Sequence, residues 1–354
     1  MKSFFKRSAV SMIVLGMAGA SYAAMPNNNA SWSPSLSGAF IGVEGLDLRP
    51  QNGDLDYVTV FPSTSNGSFY THAISPSYDW NWRVYGGIKF TENDDLTLSW
   101  MQMRTSDTDS ISTSGLINGA GYATPRWLST YPWKNVSGKV TFDLDEAYLV
   151  WGHTVYFNNP WSVRFAGGVE YAKLNSKMTV TANPYYDTSD TFGFYSKSDM
   201  RGWGPRAEFD MTYHLPYGFA LFANANAALL VSTRDISLTA VNELTADEYN
   251  GGIDYTNRHV VIPKLGMRLG ASYSYVFGQA GAEGVPCRTT TLTVDAGWQA
   301  ESYIHAIERP ESSESASVAE AALVQSSSSS FSTKTSNFGD QGLFVGIKLS
   351  TDWM

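Results

Sequence analysis

The chain has 354 residues, with 24 Lys+Arg against 33 Asp+Glu, a formal net charge of −9, 14% aromatic residues and one Cys. The aromatic load is too high for a disordered chain, and the acidic balance argues against a nucleic-acid binder, which needs a basic face. One Cys excludes an intrachain disulfide framework and any multi-cysteine metal centre.

At the start of the chain, Lys2, Lys6 and Arg7 precede a short apolar stretch from Ala9 to Ala20. Ser21-Tyr22-Ala23 then sets small residues at a cleavage site. This is the layout of a secretory signal peptide, and the apolar stretch is too short for a membrane helix. Cleavage after Ala23 removes three positive charges, so the mature chain carries −9 − 3 = −12. The expected organisation is a signal peptide over 1–23 and one domain over 24–354. No later apolar run approaches the roughly 18–20 residues of a membrane helix.

From residue 37 onward the period is two. Ser37 to Leu48 is a first strand of mixed phase. Tyr78, Trp80, Trp82, Val84, Ile88 and Phe90 share one parity, with Asp79, Arg83 and Lys89 on the other. Leu96, Leu98 and Trp100 mark a weaker strand, and Val140, Phe142 and Leu144 begin another whose phase blurs near Glu146, as at a bulge. Trp161 to Tyr171, Trp203 to Tyr213, Phe219 to Ala225, Val261 to Tyr273, Leu292 to Trp298 and Leu343 to Leu349 repeat the alternation. Successive strand side chains point to opposite faces, so each strand has one apolar and one polar face. The count is ten strands, with eight or twelve if a weak strand or a hidden hairpin is miscounted.

A soluble sandwich also has one solvated face, but its strands run about 5–6 residues, whereas these run about 10–14. Aromatic residues at the strand ends match the girdles of a membrane barrel. Connections alternate: 91–94, 158–160, 215–218 and 278–287 are short and turn-like, while about 50–77, 105–135, 173–200, 233–257 and 305–337 are long. The expected fold is therefore an all-β, transmembrane, antiparallel up-and-down β-barrel, with both termini and the short turns in the periplasm and long extracellular loops. Ala316 to Val324, in the last long loop, is a candidate short helix.

The C-terminal run Asp340 to Ile347 is polar, then Gly342, then alternating Leu343, Val345 and Ile347, closing near Trp353. It resembles the signal by which the bacterial barrel-assembly machinery recognises its clients, with Gly342, Val345, Ile347 and Trp353 as the signal residues. Met354 departs from the common terminal aromatic.

Four further segments, Gly42 to Pro50, Gly138 to Asp145, Arg164 to Ala172 and Gly202 to Arg206, stand in order along the chain. Together they resemble the Legionella major outer membrane protein family of pore-forming proteins. The resemblance implies a porin-type protein of the outer membrane, in contact with outer-membrane lipid and exposed to host factors or phage. Members of that family can be disulfide cross-linked in the envelope. Here Cys287 leaves open an intermolecular bond or a free thiol.

In a barrel the polar parity faces the lumen. That places Asp79, Arg83, Lys89, Arg164, Glu170, Arg206, Glu208, Asp210, Lys264, Arg268, Asp295, Glu301 and Lys348 inside, together with His214. Seven of these are basic and six acidic, a near balance that predicts weak selectivity, tipped toward cations by acidic loops. The same charges can instead pair across a narrow lumen and fill it, since barrels of about eight strands are just wide enough to be packed by side chains.

No HExxH, CxxC pair, GxSxG or P-loop occurs, and no cofactor or metal is expected. The Asp94-Asp95 pair falls in a short periplasmic turn, the wrong end for external substrates, and Asp254 with His259 near one outer rim reads as a solvated loop charge beside a strand-end His. The expected function is passive diffusion of small hydrophilic solutes rather than catalysis. The alternative is a closed barrel whose loops, with Tyr122, Trp127, Tyr131, Trp133, Tyr185 and Tyr186, bind host or envelope partners.

Overall fold

In the structure, a computed structural model, residues 37–61, 69–112, 122–127, 133–157, 160–184, 191–242, 249–277, 290–312 and 331–352 are described. The strands are β1 (Gly38–Asn52), β2 (Asp56–Phe61), β3 (Tyr70–Ala73), β4 (Asp79–Lys89), β5 (Asp94–Ser112), β6 (Tyr122–Pro125), β7 (Trp133–Phe157), β8 (Trp161–Pro184), β9 (Phe192–His214), β10 (Phe219–Asn242), β11 (Tyr249–Phe277), β12 (Thr290–Ser312) and β13 (Phe331–Asp352). Ten of them close into a ring in the order β1-β13-β12-β11-β10-β9-β8-β7-β5-β4, and β3-β2-β6 form a separate three-stranded sheet. Closure runs antiparallel along the whole of β1, from Gly38 opposite Asp352 to Asn52 opposite Phe338. No edge is left in the ring, so every strand has two partners, as a bilayer demands of backbone amides.

The outward parity is apolar over a limited height. Phe165, Val169, Trp203, Phe209, Leu229, Val231, Leu265, Leu269 and Ile347 are all exposed there. Aromatic pairs bound this band. At one rim Trp161 stacks on Tyr213 at 4.6 Å and Phe219 on Tyr273 at 4.9 Å. At the other, Tyr171 lies opposite Trp203. Trp161 to Tyr171 is ten steps along the strand, about 33 Å at 3.3 Å per residue, or about 25 Å of vertical rise at a tilt near 40°. That is the thickness of an outer-membrane hydrocarbon layer.

Past that rim, away from both termini, most of the long connections turn out to be strand. β8 continues to Pro184, β10 to Asn242 and β12 to Ser312. The strands of 23–29 residues from β7 to β12 are about twice the expected length. The reason is physical. Above the membrane the outward side chains become polar, as with Lys173, Asn175 and Lys177 on β8, so the hydrophobic alternation fades while the backbone ladder continues. The span 50–77 also holds β2 and β3, and 105–135 holds β6.

The phase break near Glu146 is likewise not a bulge. Glu146 stays in register with Met101 on one side and Ala172 on the other. Phe142 and Leu144 point inward and are buried at 1% and 0% exposure. What changes at this height is the outward face, from Leu149 and Trp151 to Asp145 and Asp143. The signal peptide, Cys287, Trp353, Ala316–Val324, Tyr131, Tyr185 and Tyr186 lie outside the described residues.

The candidate functional site in the barrel lumen

Inward side chains form three layers. The first, near the termini, is polar and half-buried. Arg164 on β8 reaches Asp95 on β5 at 2.7 Å, Asp210 on β9 at 2.8 Å and Glu208 at 3.4 Å. Asn224 on β10 also donates to Asp210. Lys348 sits 5.9 Å from the Phe40 ring. Ser162 Oγ and His214 Nε2 are 3.0 Å apart at the end of β9. Lys89 is half-buried and Asp295 buried at this level.

The second layer crosses the middle of the lumen and is dense with charge. Lys264 on β11, with no exposed side-chain surface, contacts Glu146 at 2.5 Å, Glu301 at 2.9 Å and Glu170 at 3.1 Å. Arg206 on β9 pairs with Glu208 at 2.7 Å, with Glu146 at 3.4 Å and with Glu170, and its guanidinium lies 4.0 Å from the Tyr148 ring centroid. Arg83 on β4 reaches Glu44 on β1 at 3.0 Å and, across the ring, Gln299 at 3.3 Å and Glu301 at 3.6 Å on β12. Arg268 contacts the same Glu44 at 2.7 Å and covers Phe344 at 4.2 Å. The Tyr303 hydroxyl donates to Glu146 at 2.5 Å. Contacts between β4 and β12, or between β7 and β11, pass through the interior, because these strands are not neighbours in the ring.

The third layer is apolar. Leu46, Leu144, Leu174 and Ile262 each sit two residues outward of Glu44, Glu146, Ala172 and Lys264, and are buried at 0–1%. Phe142 packs on Phe338 at 5.2 Å. The small sheet fills the mouth above. Tyr57 of β2 lies against Gly138 on the inner face of β7, where an added Cβ would stand 2.6 Å from its ring. Its hydroxyl donates to Asp109 on β5 at 3.2 Å. Trp127, just past β6, donates through Nε1 to the Pro310 carbonyl at 2.7 Å.

Asp54 pins this insert to the wall. It is 1% exposed, and its carboxylate meets Arg126 at 2.9 Å, Lys334 at 3.3 Å and Arg309 at 3.4 Å. Burial pushes its pKa up, but the hydrogen bond from Arg126 and the charges of Arg126, Arg309 and Lys334 outweigh that and hold it below the usual carboxylate value. Burial pulls the Arg309 guanidinium down to about 10, so it stays charged at neutral pH. Nearby, Glu308 takes Arg234 at 2.5 Å and also Arg258.

Of the residues expected to line the lumen, Arg83, Glu170, Arg206, Glu208, Lys264, Arg268 and Glu301 meet in the middle layer. Asp79 is apart, half-buried at the outer end of β4 opposite Leu48. The expected near balance of charge needs correction. Glu44, Asp95, Glu146 and Asp340 are also buried, so the interior is acidic. Glu44 and Glu146 lie where alternation was blurred by apolar residues facing inward. Asp340 falls before the regular C-terminal pattern, and Asp95 falls in what reads as a turn. Tyr303, Gln299 and Tyr148 carry no charge to flag them.

The expected catalytic-type pairs divide. Asp94 Oδ1 is 2.9 Å from His153 Nδ1 at the rim near the termini, and the His153 and Thr91 hydrogen bonds hold the Asp94 carboxyl low. Asp254 faces Ser237 and His259 faces Thr233 across the β10–β11 ladder. Trp127 and Trp133 pack inward, Trp133 at 4% exposure, so neither is presented as a free binding surface.

No curated protein matches the chain significantly. Among solved structures, it is similar to the outer membrane protease OmpT of Escherichia coli, at 7% identity and TM-score 0.38, over 92% of this chain and 99% of that one. It is similar to the toluene transporter TodX of P. putida at 10% identity and TM-score 0.32, over 91% of each. A FadL homologue of Pseudomonas aeruginosa is similar at 11% identity and TM-score 0.25, over 95% of this chain and 97% of that one. The family model described as Legionella pneumophila major outer membrane protein precursor matches residues 24–351. With nearly its whole length matched, and with a closed ring that wears a membrane-height apolar band, the chain belongs to the Legionella major outer membrane protein family and resides in the bacterial outer membrane.

Proposed function

We propose that the barrel is a channel for ions and small hydrophilic solutes whose resting state is shut and whose constriction prefers cations. The observation that carries this is the middle layer. Six carboxylates (Glu44, Glu146, Glu170, Glu208, Glu301 and Asp340) and three cations (Arg83, Arg206 and Lys264) are buried across the lumen, with the half-buried Arg268 beside them on Glu44. Buried ion pairs are an expensive way to fill space, because desolvation offsets most of their attraction. Apolar side chains fill space better, and the layer above already uses them. Charge at a constriction is what tunes a permeating ion, and a surplus of carboxylate favours cations.

The test is single-channel recording of the full chain refolded into bilayers under a salt gradient, with folding confirmed by heat-modifiable gel mobility. Brief openings with a cation-side reversal potential are expected. Glu301→Gln should move that potential toward zero. Silence from a folded barrel under all applied voltages, or anion preference, overturns the proposal. A second reading draws on the apolar third layer beneath the inserted sheet: a permanently closed barrel that displays its outer surface to host or envelope partners. Deleting 313–330 separates the two readings, since a channel keeps conducting whereas a surface binder loses cell attachment.

A further inference from the structure

Just beyond the membrane rim, the outward face of β8 and β9 turns basic. Tyr171 lies opposite Trp203, then Lys173 opposite Arg201, then Lys177 opposite Lys197. All four cationic residues are exposed. Like charges placed directly across a ladder destabilise it, so the two cationic pairs, which flank the Asn175–Asp199 pair, need compensating anions. The protein supplies two carboxylates for four cations. Lys197 pairs with Asp199, and Arg201 reaches Asp235 at 3.4 Å. Asp145, the cross-strand neighbour of Lys173, is taken by Arg104 at 2.9 Å. Among the described residues, Lys173 and Lys177 make no ion pair.

The patch is local. At the same height β7 carries Asp143 and Asp145, and β10 carries Asp235, within a chain of net charge −9. Its height is also specific. Two to six residues past the aromatic pair place these cations about 5–15 Å above the hydrocarbon edge, where lipid headgroups lie. Cations at that depth attract anionic headgroups, each contributing about a factor of five in affinity.

We infer that Lys173, Lys177, Lys197 and Arg201 form a binding face for the phosphate groups of the phosphorylated glycolipid of the outer leaflet. Lys173 and Lys177 supply uncompensated charge, while Tyr171 and Trp203 rest against the glycolipid's acyl chains.

The test titrates the detergent-folded full chain with diphosphorylated lipid A and, separately, with the same lipid after enzymatic removal of both phosphates. Tight binding to the first, at least tenfold weaker binding to the second, and weakening with added salt are expected. Lys173→Gln combined with Lys177→Gln should cost about thirtyfold for the phosphorylated lipid. Arg replacements at both positions should bind like the parent, as should a control Arg49→Gln on the far β1 wall. Equal affinity of the parent for both lipids overturns the inference without recourse to any variant. Parent-like binding by the folded Gln variant does the same.

Discussion

Asp54→Asn removes one negative charge from the point where the inserted sheet is held, and keeps the side-chain volume. Three cations lose this carboxylate, but unequally, and Lys334 keeps Glu311 at 3.6 Å. Lys334 is 47% exposed and its loss is screened by water, leaving little effect. Arg126 is 13% exposed. Arg309 is fully buried, and its remaining polar contacts are the Ser176 hydroxyl at 2.6 Å, the Asn52 side chain at 3.3 Å and the Asp54 carbonyl at 3.1 Å. Breaking a buried pair from one side typically costs about 3–5 kcal/mol. The new amide oxygen still accepts a hydrogen bond, so the lower end, about 3 kcal/mol, is the expected loss. Guanidinium unfolding of the barrel in lipid vesicles, followed by tryptophan fluorescence, measures it. Trp127, anchored to Pro310 on the opposite wall, should also become accessible to aqueous quencher before global unfolding. In the recordings above, the variant should open more often than the parent. A loss under 1 kcal/mol with unchanged quenching would refute the idea that this carboxylate holds the insert in place.

The same carboxylate gives a pH dependence whose sign is fixed. Its folded pKa lies below 3.8, so its stabilisation is fully present above about pH 4 and is lost as pH falls through the folded value. The parent should therefore lose stability in acid more steeply than Asp54→Asn, and parallel curves would count against it. Lys264→Met strands Glu146, Glu170 and Glu301 around a neutral residue and should cost at least 3 kcal/mol. Adding Glu146→Gln should recover part of that loss, which a double-mutant cycle reads directly. Phe209→Arg, on the lipid side at 41% exposure and level with Phe165 near the middle of the Trp161–Tyr171 span, should cost about 2–4 kcal/mol, while Phe209→Leu should cost far less; equal stability of the two would misplace the lipid face. Gly342→Ala should impair closure, because a Cβ there would stand 1.9 Å from the Asp47 carbonyl oxygen on β1; the folded fraction by gel mobility reports it. Normal folding of that variant would mean the β1–β13 seam can part by more than an ångström without cost.

The barrel was legible because lipid enforces alternation. Over the height of the bilayer every outward residue must be apolar, and Trp161 to Tyr171 obeys that rule strictly. Once a strand leaves the bilayer the constraint disappears, which is why Lys173 to Pro184 reads as loop although it is paired throughout with β7 or β9. The inward face is less legible for a different reason. It carries no single chemistry: on β7 the inward positions run Val140, Phe142, Leu144, Glu146, Tyr148 and Val150. An apolar plug, a charge and an aromatic ring share one parity, and the strand loses its amphipathic signature at the height where the lumen changes layer. Glu146 was thus visible only as a disturbance in phase. The disturbance marks two transitions at once, apolar to charged inside and charged to apolar outside. Such a coincidence on one strand sets the ion-pair layer just below the outer membrane rim, within the bilayer's span. There the surrounding hydrocarbon keeps the local dielectric low, and each of those charges interacts more strongly than it would in an open, water-filled mouth.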